Sequence, residues 1–191
     1  MQLVKSSDAD MRPRADARNL VKERNDGMEK FTGRVWVLGN DIDTDIIMPT
    51  EYLAFKTINE MKPYAFSPLR PELAAKIQPG DIIVAGSNFG CGSSREQAPE
   101  VVKALGIRCV IAKSYARIFF RNAINNGLLL IENQELPDNV KEGDEITVTV
   151  NEKIEAGGKE YPIVSLPENL MEILEAGGLV KAMRKRNGLE A

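Results

Sequence analysis

Ile82-Ile83-Val84-Ala85-Gly86-Ser87-Asn88-Phe89-Gly90-Cys91-Gly92-Ser93-Ser94-Arg95-Glu96 is the stretch that decides how this chain reads. A Pro79-Gly80-Asp81 turn leads into four apolar residues of strand character. A glycine-rich loop follows, and a helix is predicted from about Arg95 to Leu105, stopped by Gly106 just past its end. A strand that feeds a glycine loop and then a helix sets the loop at the carboxyl end of the strand. In a parallel sheet, that is where α/β proteins bind ligands.

Working outward, Arg34 to Leu38 reads as a β-branched, aromatic strand closed by Gly39-Asn40. Asp41 to Pro49 carries three acids among isoleucines and reads as an active-site loop or strand edge. Thr50 to Arg70 is an irregular connection holding a short helix. On the other side, Cys109 to Ala112 is a buried strand, Tyr115 to Asn126 a helix ended by Gly127, and Leu128 to Ile131 another strand. Glu145 to Val150 alternates like an antiparallel strand with one wet face. A hairpin is expected through Gly157-Gly158, and Leu170 to Arg186 as an amphipathic helix with a glycine pair inside. Together these elements imply a partly parallel sheet with helices against it and antiparallel strands beside it.

Residues 1–30 differ from the rest. Acids and bases are interspersed there, apolar residues are sparse, and a disordered or weakly helical tail is expected. Met28 is an alternative translation start. The chain's 191 residues leave room for one domain beyond that tail, over 31–191.

Composition narrows the chemistry. The net charge of −3 gives no footing for counterion-driven nucleic-acid binding. The longest apolar runs are strand-sized, so no membrane span is expected, and Met1 to Ser6 has no secretory core. Two cysteines far apart in sequence, Cys91 and Cys109, fit a reduced, cytoplasmic protein. The complete absence of histidine removes every Ser-His or Cys-His scheme and the commonest zinc ligand. Two cysteines cannot supply an iron–sulfur cluster alone, so no metal site is expected. Catalysis must use Ser, Asp, Glu, Lys, Arg or Tyr, or borrow a partner's cofactor.

In the glycine loop an anion is the expected guest, because glycines admit a ligand to the backbone and a helix start offers unpaired N–H groups. No lysine is present to make a P-loop, and Arg95 stands where a dinucleotide loop needs its third glycine. A carboxylate clamped by Arg95 is the better match. The alternative is purely structural: Ser93 or Ser94 caps the helix and Arg95 pairs with Glu96 or Glu100.

The block Gly92-Ser93-Ser94-Arg95-Glu96, with Gly86 to Cys91 before it, resembles the signature of the swivel domain of the aconitase superfamily. The likeness extends to Gly39 to Ile47, to Glu51-Tyr52-Leu53 and to Ser114 to Asn122. Within the superfamily it is nearest to the stand-alone small subunits of isopropylmalate dehydratases and homoaconitases. The resemblance implies a single swivelling β/β/α domain of the aconitase C-terminal type, α/β in class, with a mixed sheet and flanking helices. It implies a hydro-lyase that interconverts 2- and 3-isopropylmalate by dehydration and rehydration in leucine biosynthesis, active only with a large subunit as heterodimer or heterotetramer. No cofactor is expected on this chain, and a [4Fe-4S] cluster is expected on that partner. By the same resemblance Ser93 is the catalytic base, acting as an alkoxide. Ser94, Arg95, Thr44 and Asp45 are the implied substrate-binding residues, Ser94 and Arg95 on a carboxylate and Thr44 and Asp45 in the step beside them.

The resemblance also makes the segment after Tyr52-Leu53 the loop that reaches the variable group of the substrate. Tyr52, Leu53, Ala54 and Phe55 would set specificity. Neutral Ala54 cannot pair with a third carboxylate, and an unpaired buried charge costs several kcal/mol, on the order given for unsatisfied ions. An isopropyl group is therefore favoured over homoaconitate, with citramalate-like substrates as alternatives and Lys56 facing solvent. Asp41 and Asp43 are read as capping groups and Cys91 as a spacer. Tyr115, Phe119 and Phe120 are read as core, and Arg117 and Arg121 as either salt-bridged surface or partner contacts. The basic end Lys181 to Arg186 is a solvated helix terminus. A non-enzymatic dicarboxylate-binding module is the competing class.

Overall fold

A computed structural model describes residues 30–189. The expected tail over 1–30 and the start at Met28 lie outside the described residues, except that Lys30 already belongs to the first strand. Seven strands form one mixed sheet in the order β4-β3-β2-β1-β5-β6-β7. They are β1 Lys30–Val37, β2 Ile82–Ala85, β3 Cys109–Ala112, β4 Leu129–Glu132, β5 Glu145–Thr149, β6 Lys153–Ala156 and β7 Lys159–Pro162.

Strand β1 joins two kinds of sheet. Its first half, 30–34, pairs antiparallel with β5, and Val35 to Val37 pair parallel with β2. This is why it is longer than expected at its N-terminal end: the extra residues alternate as a one-face-wet strand against β5. Beyond β1 the pairing is parallel through β2, β3 and β4 on one side and antiparallel through β5, β6 and β7 on the other. The Gly157-Gly158 hairpin is the β6–β7 turn.

Register explains the apolar runs. Trp36, Ile83, Val110 and Leu130 form one row across the parallel strands, and Val35, Ile82, Cys109 and Leu129 the next. The first row packs with α4 (Gln97–Ala104), through Ala98, Val101 and Val102, and with Phe66 and Leu73. The second row packs with Ile146, Val148 and Ile154 of the antiparallel half and Leu174 of α7 (Glu168–Glu175). Because both faces are covered, the central strands need no polar positions. Asp81, 6% exposed, ties the base of the sheet together. It accepts hydrogen bonds from Arg34 (2.8 Å), the Trp36 indole (2.7 Å) and the Gln78 amide (2.9 Å).

The connections hold short helices: α1 (Thr44–Ile47), α2 (Ile58–Met61), α3 (Leu73–Lys76) and α6 (Leu136–Asn139), with 3-10 turns at Thr50–Ala54 and Lys62–Tyr64. Three expectations need correction. Helix α4 begins at Gln97 rather than Arg95, so Ser93 and Ser94 are loop residues and not its caps. Helix α5 spans Arg117–Asn125, starting two residues late because Tyr115 and Ala116 extend the strand-like path alongside Phe89. The expected C-terminal helix is two, α7 and α8 (Leu179–Arg186), parted at Gly177 and Gly178, whose φ values of 79° and 133° no continuous helix accommodates. No helix among the described residues is long and apolar enough to cross a membrane.

Candidate active site

Three segments meet beyond the carboxyl ends of β1, β2 and β3. The glycine loop continues the parallel pairing after β2: the Gly90 amide donates to the Ile42 carbonyl (2.7 Å) and the Thr44 amide to the Cys91 carbonyl (2.8 Å). On the other flank the Phe89 amide donates to Ser114 and the Ala116 amide to Phe89, each at 3.0 Å. The loop is thus laced between its neighbours. Two polar residues with left-handed backbones, Asp41 and Asn88, join across it at 2.8 Å. Such conformations are unusual outside glycine and concentrate at functional loops. Gly90, with φ 77°, lies against the Phe119 ring, and a Cβ there would run into that ring. Phe119 is core, as expected, and so are Tyr115 and Phe120 at the core's edge.

Thr44 and Asp45, at the start of α1, grip the loop residues that sequence reading singles out. Thr44, 1% exposed, accepts the Ser93 amide at 3.0 Å, and its Oγ1 lies 3.0 Å from Ser93 Oγ. Asp45 accepts from Arg95 (2.5 Å) and from the Thr50 hydroxyl (2.7 Å). The Thr50 hydrogen bond, and then the Arg95 guanidinium, hold the Asp45 carboxyl below its ordinary range. Arg95 also donates to the Met48 carbonyl (3.3 Å) and the Thr50 hydroxyl (2.9 Å). Its Nε–H makes no hydrogen bond among the described residues. Ser93 is half-buried and Ser94 exposed.

Each expected site residue therefore has a place. Ser93, Ser94, Arg95, Thr44 and Asp45 are brought together. Arg95 pairs with Asp45, not with Glu96 or Glu100, a choice decided by the folding of α1 against the loop. Asp43 caps α1 through the Ile46 amide at 2.7 Å, as read from sequence. Burial, then the nearby Asp43 and Asp41 charges, push the Cys91 thiol up, which suits a spacer and not a nucleophile.

Tyr52, Leu53, Ala54 and Phe55 form the 3-10 turn and its end, starting two residues from Thr50. Ala54, Phe55 and Lys56 are exposed. The Tyr52 and Tyr64 rings stack at 4.0 Å, and the Phe55 ring lies 5.6 Å from Tyr64. A capping box between Thr57 and Glu60 closes the segment. Sequence reading missed Tyr64, Thr50 and the Met48 carbonyl. None carries a local motif, since their partners lie on other segments of the folded chain.

The donors of this chain do not fit an iron–sulfur cluster. Cys109 is enclosed in β3 with its thiol pushed up by burial, burial and the nearby Asp43 and Asp41 push the Cys91 thiol up as well, and histidine is lacking. The described residues contain no group of three or more His, Cys, Asp or Glu placed to hold a metal.

Residues 47–136 match the model of the aconitase C-terminal domain. The chain is 78% identical over 162 residues to the 3-isopropylmalate dehydratase small subunit of Lachnospira eligens, covering 85% of this chain and 99% of that protein. It is 49% identical to the isopropylmalate/citramalate isomerase small subunit of Methanocaldococcus jannaschii, covering 81% and 94%. The crystal structure of a 3-isopropylmalate dehydratase from the latter organism superposes with a TM-score of 0.79 at 41% identity, over 84% of this chain and 96% of that one. With the fold, the loop and near-complete coverage of its relatives in agreement, the chain belongs to the family of 3-isopropylmalate dehydratase small subunits.

Proposed function

We propose that this chain is the small subunit of a cytoplasmic hydro-lyase that interconverts 2- and 3-isopropylmalate, with Ser93 as the base that takes the carbon-bound proton. The single observation that carries the reading is the double grip of Thr44 on Ser93 and Asp45 on Arg95, which holds the hydroxyl of a half-buried serine near a guanidinium whose Nε–H makes no hydrogen bond among the described residues. Because Thr44 Oγ1 already accepts the Ser93 amide, its own proton is free to donate to Ser93 Oγ, the direction that stabilises an alkoxide. Two local sources of positive potential, the helix start and the Arg95 guanidinium, contribute little to ionising Ser93. Helix α4 begins four residues on, and Asp45 offsets the guanidinium. The remaining positive potential that ionises Ser93 would then arrive with the large subunit.

The same geometry supports a reading of substrate binding. The Nε edge of Arg95 and the Ser94 hydroxyl would take a carboxylate, and the Tyr52–Phe55 turn would face the alkyl group. Neutral Ala54 fits isopropyl or methyl there and offers nothing to a third carboxylate. A relative named for both isopropylmalate and citramalate supports the smaller alkylmalate as a second substrate. The chain would act as one swivel domain over 31–191, and the [4Fe-4S] cluster would belong to the large subunit.

The test is reconstitution of the full chain with its large subunit on isopropylmalate, citramalate and homoaconitate. Activity should follow that order, and Ser93→Ala should lower kcat by at least about 10³-fold. Comparable turnover by the chain alone, or full activity of Ser93→Ala, would overturn the reading.

A further inference from the structure

Arg34, Arg70 and Arg95 each grip a carboxylate of this chain. Arg117 and Arg121 grip none among the described residues, although both are exposed. They lie four residues apart on one face of α5, with Ile118, 53% exposed, beside them. Of the two roles left open by sequence, surface salt bridging is not realised among the described residues. Arg117 is also the first residue of α5, whose first turn has no acid and whose N-cap makes no side-chain bond. A cation there opposes the helix dipole, so helix stability does not account for it.

This face is continuous with the catalytic loop. Asn122, one turn on from Ile118, donates to the Ser94 carbonyl at 3.3 Å. Ser94, Glu96, Arg117, Ile118, Arg121 and Asn122 line one open groove of about 590 Å³. Two cations face the single acid Glu96, so the groove favours carboxylates around an apolar contact.

We propose that this face of α5 is where the large subunit docks. The inference rests on the function proposed above: Ser93 needs groups that this chain lacks, so another polypeptide must come up to the Ser93-Ser94 loop. The Ile118 ridge adjoins that loop directly, and an exposed isoleucine between unpaired arginines is suited to the edge of such a contact.

The experiment measures binding of the full chain to the large subunit across a salt series. R117E/R121E should weaken the dissociation constant at least tenfold and flatten its salt dependence. Ile118→Ser should weaken binding without changing the salt slope, and Ser93→Ala should bind like the parent. Melting temperatures check folding, and should the double reversal melt early, R117Q/R121Q replaces it with a smaller loss and the same flattening. Parent-like affinity and salt slope in both double variants would overturn the inference while leaving the proposed function standing. So would a change confined to self-association of the isolated chain, which would make a second copy the occupant. If the parent chain fails to bind the large subunit at any salt, the functional reading itself falls, and this inference with it.

Discussion

Thr44 serves folding through one buried hydroxyl, which accepts the Ser93 amide and faces the Ser93 hydroxyl, and in the proposed function the same contact serves the chemistry. Thr44→Val should lower kcat of the reconstituted enzyme about 10²-fold with little change in KM, and Thr44→Ser should recover most of it. A KM effect without a kcat effect would argue against a role at Ser93. Asp81 answers to pH instead. Burial pushes its carboxyl up, but Arg34, the Gln78 amide and the Trp36 indole more than offset this, and its folded pKa is lowered. Its stabilisation is therefore present above the ordinary aspartate value of about 3.9 and lost as pH falls through the lower folded value. Asp81→Asn should cost about 2 kcal/mol at pH 7 and should reduce the loss of stability between pH 5 and 2, as read by urea unfolding. At this scale sequence reading singled out Ser93 and Arg95 but not the contacts that hold them, since Arg95 and Asp45 are fifty positions apart and nothing local couples them.

The elements were legible where the apolar pattern is unambiguous. Strands β2 and β3 lie where Ile82 to Ala85 and Cys109 to Ala112 place them, because runs buried on both faces leave no polar position to blur the ends. Helix starts were less legible. The segments before α4 and α5 are held by hydrogen bonds to neighbouring loops rather than by side-chain caps, so no cap marks the boundary. That lacing predicts a low tolerance in the glycine loop. Gly90→Ala should destabilise the chain by about 3 kcal/mol in urea titration, from the left-handed backbone together with the overlap on Phe119. The Tyr52–Phe55 turn depends on an aromatic stack closed by Tyr64. Tyr64→Ala should raise KM for isopropylmalate several-fold and change kcat less, with Tyr64→Phe near normal. Unaltered KM in the alanine variant would separate the stack from substrate binding.

On the scale of the whole molecule, the proposed function makes this site one half of an active centre that the large subunit would complete. Ser93, Arg95 and their supports stand at an open edge, and the chain has neither histidine nor a thiolate set with which to complete it. The isolated chain should be colourless and inactive in an absorbance assay of the alkene intermediate, and addition of the large subunit should restore turnover. What the sequence by itself determined was the parallel α/β half, the glycine loop at its carboxyl edge and the contiguous Ser-Ser-Arg block on which the proposed site rests. Local apolar runs, glycines and a contiguous motif are written in neighbouring positions. Only the tertiary structure decided that Asp45 holds Arg95, that Thr44 faces Ser93, that Tyr64 closes the aromatic stack and that β1 serves both halves of the sheet. Each of these is a contact between segments whose closeness is set by sheet order and register, and no short stretch of chain encodes it.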